Sequence, residues 1–230
     1  MADATKETKK PGGVKVTAIV PAYNEERNIR RTIHALRDIP EIDRFIVVND
    51  GSEDRTAEIV LEEYGVELVD LKENAGKGGA LRAGLRATDA DVVLMLDADL
   101  IGLTREHVLS ILSPVLDGRA KATLGVFREG RVTTDLAQLV APQLSGQRAM
   151  LRELIEGAPI DDARYGVEVA INRHLEELGV PIYEVELYNL TQQMKEEKMG
   201  VARGLAARAT MYYEVFKTFF TGGRKTGAKS

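Results

Sequence analysis

Apolar residues arrive along this chain in short blocks whose internal spacing switches between strand and helix periods. Lys15–Val20 is a β-branched run closed by Pro21 and reads as a strand. Apolar positions then recur at Ile29, Ile33, Leu36 and Ile39, spacings of four, three and three that form one helical face. Asn24 stands where that helix would be capped, with Glu25 and Glu26 in its first turn. Phe45–Val48 reads as a second strand, Asp54–Tyr64 as an amphipathic helix and Val66–Asp70 as a third strand. Lys77–Ala87 is a Gly/Ala-rich helix and Val92–Leu96 a wholly apolar strand. Strand and helix alternating through short connections predict a mostly parallel sheet with helices on both faces, an α/β fold.

Beyond Asp99 the pattern loosens. Thr104–Leu116 reads as a helix, Thr123–Phe127 as a strand, Gln147–Glu156 and Val167–Leu178 as helices, and Ile182–Leu187 as a late strand. A long amphipathic helix is expected from about Gln192 to Phe220. Residues 1–13 are polar and end in Pro-Gly-Gly, the composition of a disordered lead-in, so one domain is expected over 14–200. Residues 201–230 would add an amphipathic helix and a flexible Gly/Lys/Ser-rich tail.

Composition removes several classes of chemistry. There is no cysteine among the 230 residues, which excludes disulfides, thiolate metal sites and cysteine nucleophiles. His34, His107 and His174 are scattered through helical patterns, against a histidine metal cage. A net charge of −5 speaks against nucleic acid as a partner. No apolar run reaches the ~18 residues of a membrane span and no signal-peptide pattern is seen, so a cytoplasmic location is expected. The charge is uneven, however. Residues 201–230 hold six basic side chains against one acidic, while residues 11–200 carry a net −11.

Part of that acidity sits where chemistry is expected. In open α/β sheets ligands bind beyond the carboxyl ends of the strands. Three predicted strands end there in polar clusters: Pro21-Ala22-Tyr23-Asn24-Glu25, Asn49-Asp50-Gly51-Ser52 and Asp97-Ala98-Asp99. Asp97 and Asp99 offer hard oxygens of the kind that suit Mg²⁺ or Mn²⁺ bridging substrate phosphates. Gly76-Lys77-Gly78-Gly79 combines close backbone approach, a cation and a helix N-terminus, a combination suited to phosphate. Asp50 can accept from a base or ribose, and Ser52 is placed to cap the helix that follows.

Taken in order, PAYNEE (21–26), NDGSEDRT (49–56), NAGKGGA (74–80) and DADL (97–100) resemble the motif series of GT-A glycosyltransferases of the family-2 type. The resemblance implies a GT-A fold, a nucleotide-sugar donor, commonly a UDP-sugar, and Mg²⁺ or Mn²⁺. Residues 14–100 would then form the donor-binding half and 101–200 the acceptor-binding half. Pro21, Tyr23, Glu25 and Asp50 would hold the nucleoside, with Ala22 and Ser52 also among the donor-binding residues. Gly76 and Lys77 would approach base or phosphate, with Asp97 and Ala98 beside the donor. Asp99 would be the principal metal ligand, helped by Asp97.

In the second half GRVT (130–133), QLSGQRA (143–149) and YGVE (165–168) resemble glucosyl-3-phosphoglycerate synthases, retaining enzymes that glucosylate a small phosphorylated acid. Carried over by position, Tyr165 and Glu168 would contact the donor sugar. Arg131 and Thr133 would contact the acceptor phosphate, and the backbone of Leu144, Ser145 and Gly146 would lie beside the anomeric centre. No protein nucleophile is implied. For an inverting enzyme, Glu168 would be the general base.

The chain also departs from that pattern. The stretch between Thr133 and Gln143 is shorter than in those synthases. Where they supply a metal-binding histidine, this sequence reads YNLTQQMKEEK (188–198), leaving Asn189, Gln192 or water for that position. Polyprenyl-phosphate glycosyltransferases share the Gly-Lys-Gly and Asp-x-Asp signatures. Tyr212, Tyr213, Phe216, Phe219 and Phe220 beside Lys217, Arg224 and Lys225 could rest on an anionic membrane or pack against a second copy of the chain. A nucleotidylyltransferase would need a Gly- and Arg-containing loop where Pro21-Ala22-Tyr23-Asn24 stands. A non-catalytic nucleotide-binding module is the remaining alternative.

Overall fold

The computed structural model describes residues 12–128, 145–161 and 166–192. The first half alternates as the sequence pattern requires. Strands Val16–Ala22 (β1), Arg44–Asp50 (β2), Glu67–Leu71 (β3) and Val92–Met95 (β4) are separated by helices Ile29–Leu36 (α1), Thr56–Glu62 (α2) and Gly76–Arg86 (α3). The second half contributes Leu100–Ile101 (β5), Arg105–Leu116 (α4), Ala122–Phe127 (β6) and Arg148–Leu151 (β7). These are followed by Arg152–Glu156 (α5), Val167–Glu177 (α6), Ile182–Leu187 (β8) and Thr191–Gln192 (β9).

Seven strands form one sheet in the order β3-β2-β1-β4-β7-β6-β8. β1 pairs in parallel with both β2 and β4, β2 with β3 and β6 with β8, whereas β7 runs antiparallel to β4 and β6. The sheet is therefore mixed but mostly parallel, as expected.

Period-two alternation assigns each strand residue to one of two cores. Ala18, Val20, Val47 and Leu94 face α1 and α4, whose Ile29, Ile33, Leu36, Val108, Ile111 and Leu112 cover that side. Ile19, Ile46, Val48, Val93 and Met95 face α3, α5 and α6 through Leu81, Leu85, Ile155 and Ile171. With eight residues, α1 is too short to hold alone. Burial of Ile29, Ile33 and Leu36, about 1.5–3 kcal/mol each, fixes it to the sheet. α3 approaches more closely still: a Cβ at Gly84 would lie 2.6 Å from Ile19 Cγ2.

Four expectations are corrected. Asn24 does not cap α1, which begins five residues later; it takes a left-handed φ of 55° and ties two loops together. Ser52 does not cap α2; its Oγ accepts from the Asn24 amide at 3.0 Å. The helix expected over Gln147–Glu156 is a strand, β7, followed by the one-turn α5. Arg, Ala, Met and Leu are good helix formers, but here β4 and β6 flank the segment and supply its hydrogen bonds on both sides. Gln192, where the long helix was expected to begin, ends strand β9; the rest of that helix and the 201–230 tail lie outside the described residues.

Candidate functional site

β1 and β4 are neighbours, yet the chain leaves β1 toward β2 and leaves β4 toward the other side of the sheet. The carboxyl ends of this pair therefore form the switch-point crevice where open α/β sheets take ligands. Pro21 at the end of β1 and Asp97 just beyond β4 line a small hollow there with Lys77, Gly146, Arg148 and Glu168.

Lys77, in the first turn of α3, is the centre of this cluster. Its Nζ lies 2.5 Å from Asp97 Oδ1 and 2.6 Å from Glu168 Oε1, so one ammonium joins β4 to α6. The other Asp97 oxygen, Oδ2, accepts from Gln147 Nε2 at 3.1 Å. Asp97 and Glu168 side chains are only 18% and 12% exposed, which makes their interaction with Lys77 strong. Burial disfavours the Lys77 ammonium, but the two carboxylates outweigh it and hold its pKa above the ordinary lysine value.

Sequence reasoning passed over Arg148. It stands on β7 directly opposite Met95 of β4 and is 1% exposed. Its Nε donates to the Ser145 carbonyl at 2.9 Å and its Nη1 to Asn172 Oδ1 of α6 at 2.5 Å. Burial pushes the guanidinium down to about 10, against the pull of Glu168 and Asp97, so it remains charged at neutral pH. Two carboxylates thus share a pocket with two cations. Gln147, Arg148 and Asn172 carried no stronger signal than the polar Gln-Arg pair following Ser145-Gly146.

A second, open hollow of about 550 Å³ lies on the other side of the α3 N-terminus. Tyr23, Asn49, Ser52, Asp70, Lys72 and Asn74 are among its lining residues. The loops after β1 and β2 are stitched together beside it. Glu53 N donates to Asn24 Oδ1 at 2.9 Å, Glu25 N to Thr56 Oγ1 at 2.8 Å and Glu26 N to Asp54 Oδ2 at 3.1 Å. Asp50 is buried, and its Oδ1 accepts from the Ala75 amide at 2.7 Å. Burial raises its pKa, while the Ala75 and Gly76 amides pull it back. Asp50 therefore anchors the start of α3 from the segment whose Asn49, Gly51 and Ser52 line the hollow.

About half of the proposed donor residues line these two hollows. Pro21, Lys77, Asp97, Gly146 and Glu168 line the closed one and Tyr23 and Ser52 the open one, whereas Asp50 and Gly76 line neither, Asp50 being bound to the Ala75 amide at the start of α3. Ala22 and Ala98 are buried beside them, Asp99 is half-buried, and Ser145 is buried with its Oγ accepting from Gln147 N at 3.3 Å. Glu25 Oε2 accepts from Asn28 Nδ2 at 2.8 Å. Leu144, Tyr165, Arg131 and Thr133 lie outside the described residues, so Gly146 is the one acceptor-side residue in view.

Asp97 and Asp99 do not join a third His, Asp or Glu in a metal cage among the described residues. The donor set still suits a hard cation that keeps water and takes ligand phosphate oxygens, because such a site needs only one or two carboxylates. The segment lacking the expected histidine does return to this loop: Leu100 pairs with Gln192 and Ile101 with Thr191, next to Asp99. Gly102 admits that close return, since a Cβ there would meet the Asn189 carbonyl at 2.6 Å.

A sequence model of glycosyl transferase family 2 matches residues 17–162, more than half of the chain. The chain belongs to glycosyl transferase family 2. Within this family it is 36% identical over 126 residues to a dolichyl-phosphate beta-glucosyltransferase of Trichomonas vaginalis, covering 49% of this chain and 38% of that protein. It is 29% identical over 197 residues to the glucosyl-3-phosphoglycerate synthase of Mycobacterium tuberculosis, covering 69% of this chain and 60% of the relative. The chain thus spans less than two thirds of either relative. Among solved structures, that synthase with Mn²⁺, UDP-glucose and phosphoglyceric acid superposes with a TM-score of 0.68 at 27% identity, over 86% of this chain and 79% of the other. Its complex with Mn²⁺, UDP and phosphoglyceric acid gives 0.74 at 27% identity, over 91% and 78%. The GT-A fold expected from the motif series is the fold observed.

Proposed function

We propose that this family-2 protein is a metal-dependent glycosyltransferase that moves a hexose, glucose in the first instance, from a UDP-sugar to a small phosphorylated acceptor such as 3-phosphoglycerate, with retention. The observation that carries the reading is the Lys77-Asp97-Glu168 cluster at the β1/β4 switch point, immediately before Asp99. The superposition on a synthase holding Mn²⁺, UDP-glucose and phosphoglyceric acid supports the substrate classes.

In this reading the open hollow takes the nucleoside, with Tyr23 beside the base and Asp50 and Ser52 on the loop that borders it. Asp99 holds Mg²⁺ or Mn²⁺ with Asp97 nearby. The cation, when bound, supplies Lewis-acid stabilisation of the leaving nucleoside diphosphate. Glu168 and Tyr165 orient the hexose hydroxyls, and Lys77 contributes positive charge beside the diphosphate. The backbone at Leu144, Ser145 and Gly146 lies along the anomeric carbon, and Arg131 and Thr133 receive the acceptor phosphate. The bond from the anomeric carbon to the diphosphate oxygen breaks, and the acceptor hydroxyl forms the new bond on the same face. The hydroxyl proton leaves with the diphosphate.

A second reading places a polyprenyl phosphate at the acceptor side. It is favoured by the 36% identity to a dolichyl-phosphate enzyme, a match that covers about half of this chain. No helix among the described residues is long and apolar enough to cross a membrane. The aromatic and basic residues of 201–230 would then meet the membrane surface. A second copy of the chain is the other partner for that segment.

The deciding experiment measures UDP release and product from UDP-glucose with Mn²⁺, offering 3-phosphoglycerate or a short polyprenyl phosphate. Transfer to 3-phosphoglycerate is expected. Transfer only to the lipid would favour the second reading. UDP binding without transfer from several donors would leave a non-catalytic binding module. Calorimetry with UDP, GDP and Mn²⁺ on Asp99→Ala tests the cation site: undiminished metal-dependent UDP binding would count against it.

A further inference from the structure

Two side chains of α1 reach across to the loop that follows β4. Thr32 donates from Oγ1 to the Ala98 carbonyl at 3.0 Å, and Arg31 donates from Nε to the Leu100 carbonyl at 3.2 Å. These carbonyls stand on either side of Asp99 in the chain, so α1 grips the loop before and after that carboxylate. Thr32 is 1% exposed, on a helix face whose other members, Ile29, Ile33 and Leu36, are apolar. A buried hydroxyl is costly unless it is bonded, and its bond to Ala98 explains why this position is polar.

The grip continues away from the loop. Arg31 Nη2 donates to Asn28 Oδ1 at 3.0 Å, and Asn28 Nδ2 donates to Glu25 Oε2 at 2.8 Å. Glu25 N in turn donates to Thr56 Oγ1 at 2.8 Å, at the start of α2 beside the open hollow. A run of hydrogen bonds therefore leads from the loops around that hollow, through Asn28 and Arg31 at the start of α1, to the Leu100 flank of Asp99, while Thr32 holds the Ala98 flank from the same helix.

We propose that Thr32 and Arg31 are positioning residues for Asp99 and that this run couples occupation of the open hollow to affinity for a divalent cation. The proposal rests on the reading above, in which Asp99 binds the cation and the hollow binds the nucleoside. A site with few protein carboxylates depends on holding each in place, because every degree of freedom left in the loop is lost again on binding. Ordering the loops after β1 and β2 with a nucleotide would stiffen α1's hold on the Asp99 loop. By linkage, bound cation would then tighten the nucleotide by the same factor.

The test is a Mn²⁺ titration of the full chain, followed by the magnetic resonance signal of free hydrated Mn²⁺, with and without UDP. Thr32→Val is expected to weaken Mn²⁺ binding in the presence of UDP about five- to tenfold, the effect of losing one hydrogen bond. Metal-free UDP binding should stay within about twofold, and Thr32→Ser, which keeps the hydroxyl, should restore Mn²⁺ affinity to within the same margin. Arg31→Met, at an exposed position, should weaken Mn²⁺ binding about two- to threefold and decides the matter if Thr32→Val does not fold. Wild-type Mn²⁺ affinity in a folded Thr32→Val or in Arg31→Met would overturn the proposal, as would a Thr32→Ser protein as weak as Thr32→Val. Asp99→Ala separates the two levels. Mn²⁺ binding that survives this change removes the cation site itself, whereas its loss alongside a silent Thr32→Val removes only the positioning role.

Discussion

Gly146 lies so close to Asp97 that a Cβ at position 146 would come within 2.5 Å of Oδ1 and 2.7 Å of Oδ2. The same Cβ would sit 2.7 Å from Lys77 Nζ. The backbone at 146 therefore forms a wall of the ion-pair pocket. Gly146→Ala must push the Asp97–Lys77 pair aside rather than the surrounding strands. Overpacking of this sort costs about 1–3 kcal/mol, and the ends of charged side chains yield more readily than backbone, so a loss near the lower figure is expected in urea unfolding. Transfer activity should fall at least about tenfold, since about 1.4 kcal/mol of misplaced electrostatics suffices for that. A variant that folds and turns over UDP-glucose at the wild-type rate would show that the wall is incidental.

Lys77 faces two carboxylates, so its removal and the removal of Glu168 should not be independent. Lys77→Met leaves Asp97 and Glu168 in one pocket with Arg148 as the nearby cation. A loss of about 2–4 kcal/mol is expected, below the figure for a fully buried pair because the Lys77 side chain is 31% exposed. In a Glu168→Gln background the same change should cost at least about 1 kcal/mol less, because one of the two stranded charges is gone. Urea unfolding of the four proteins in this cycle measures the difference. Simple additivity, within about 0.5 kcal/mol, would mean that Lys77 and Glu168 do not share a stabilising interaction.

The two halves of the chain were not equally legible. Ile29, Ile33 and Leu36 repeat at helix spacing because one side of α1 must meet the sheet, and Val92–Met95 is apolar throughout because β4 is covered on both faces. Local pattern and tertiary position agree there. At Arg148–Leu151 they conflict. The residues favour a helix, and only the gap between β4 and β6, built from segments more than twenty residues distant, makes them a strand. Arg148 was passed over for the same reason: as a helical residue it would face water, and as a β7 residue it is buried under Glu168 and Asp97. Lys77 was visible as a cation in a Gly-rich turn. Its partner Glu168 lies 91 residues away, and no periodicity reports such a contact. The Glu25 and Ser52 motifs read in sequence as ligand contacts or caps, whereas both also bind the neighbouring loop, Glu25 through its amide to Thr56 and Ser52 through its hydroxyl to the Asn24 amide.

Asp50 provides a test by pH. Burial raises its pKa in the folded protein above the unfolded value, so the native state binds this proton more readily than the unfolded chain does. Between an unfolded pKa of about 3.9 and the higher folded value, the unfolded state holds fewer protons, and the Asp50 contribution to stability falls as pH rises. Above the folded pKa the cost of the buried charge is fully present. Asp50→Asn removes the charge yet leaves an oxygen to accept from the Ala75 amide. Relative to wild type, the variant should therefore gain stability as pH is raised from about 4 to 7, and the advantage should then level off. Urea unfolding of both proteins at half-unit pH steps measures this. Stability curves that stay parallel over the whole range would mean that the Ala75 and Gly76 amides cancel burial at Asp50, and an advantage that shrinks with rising pH that they outweigh it; either result contradicts the raised pKa.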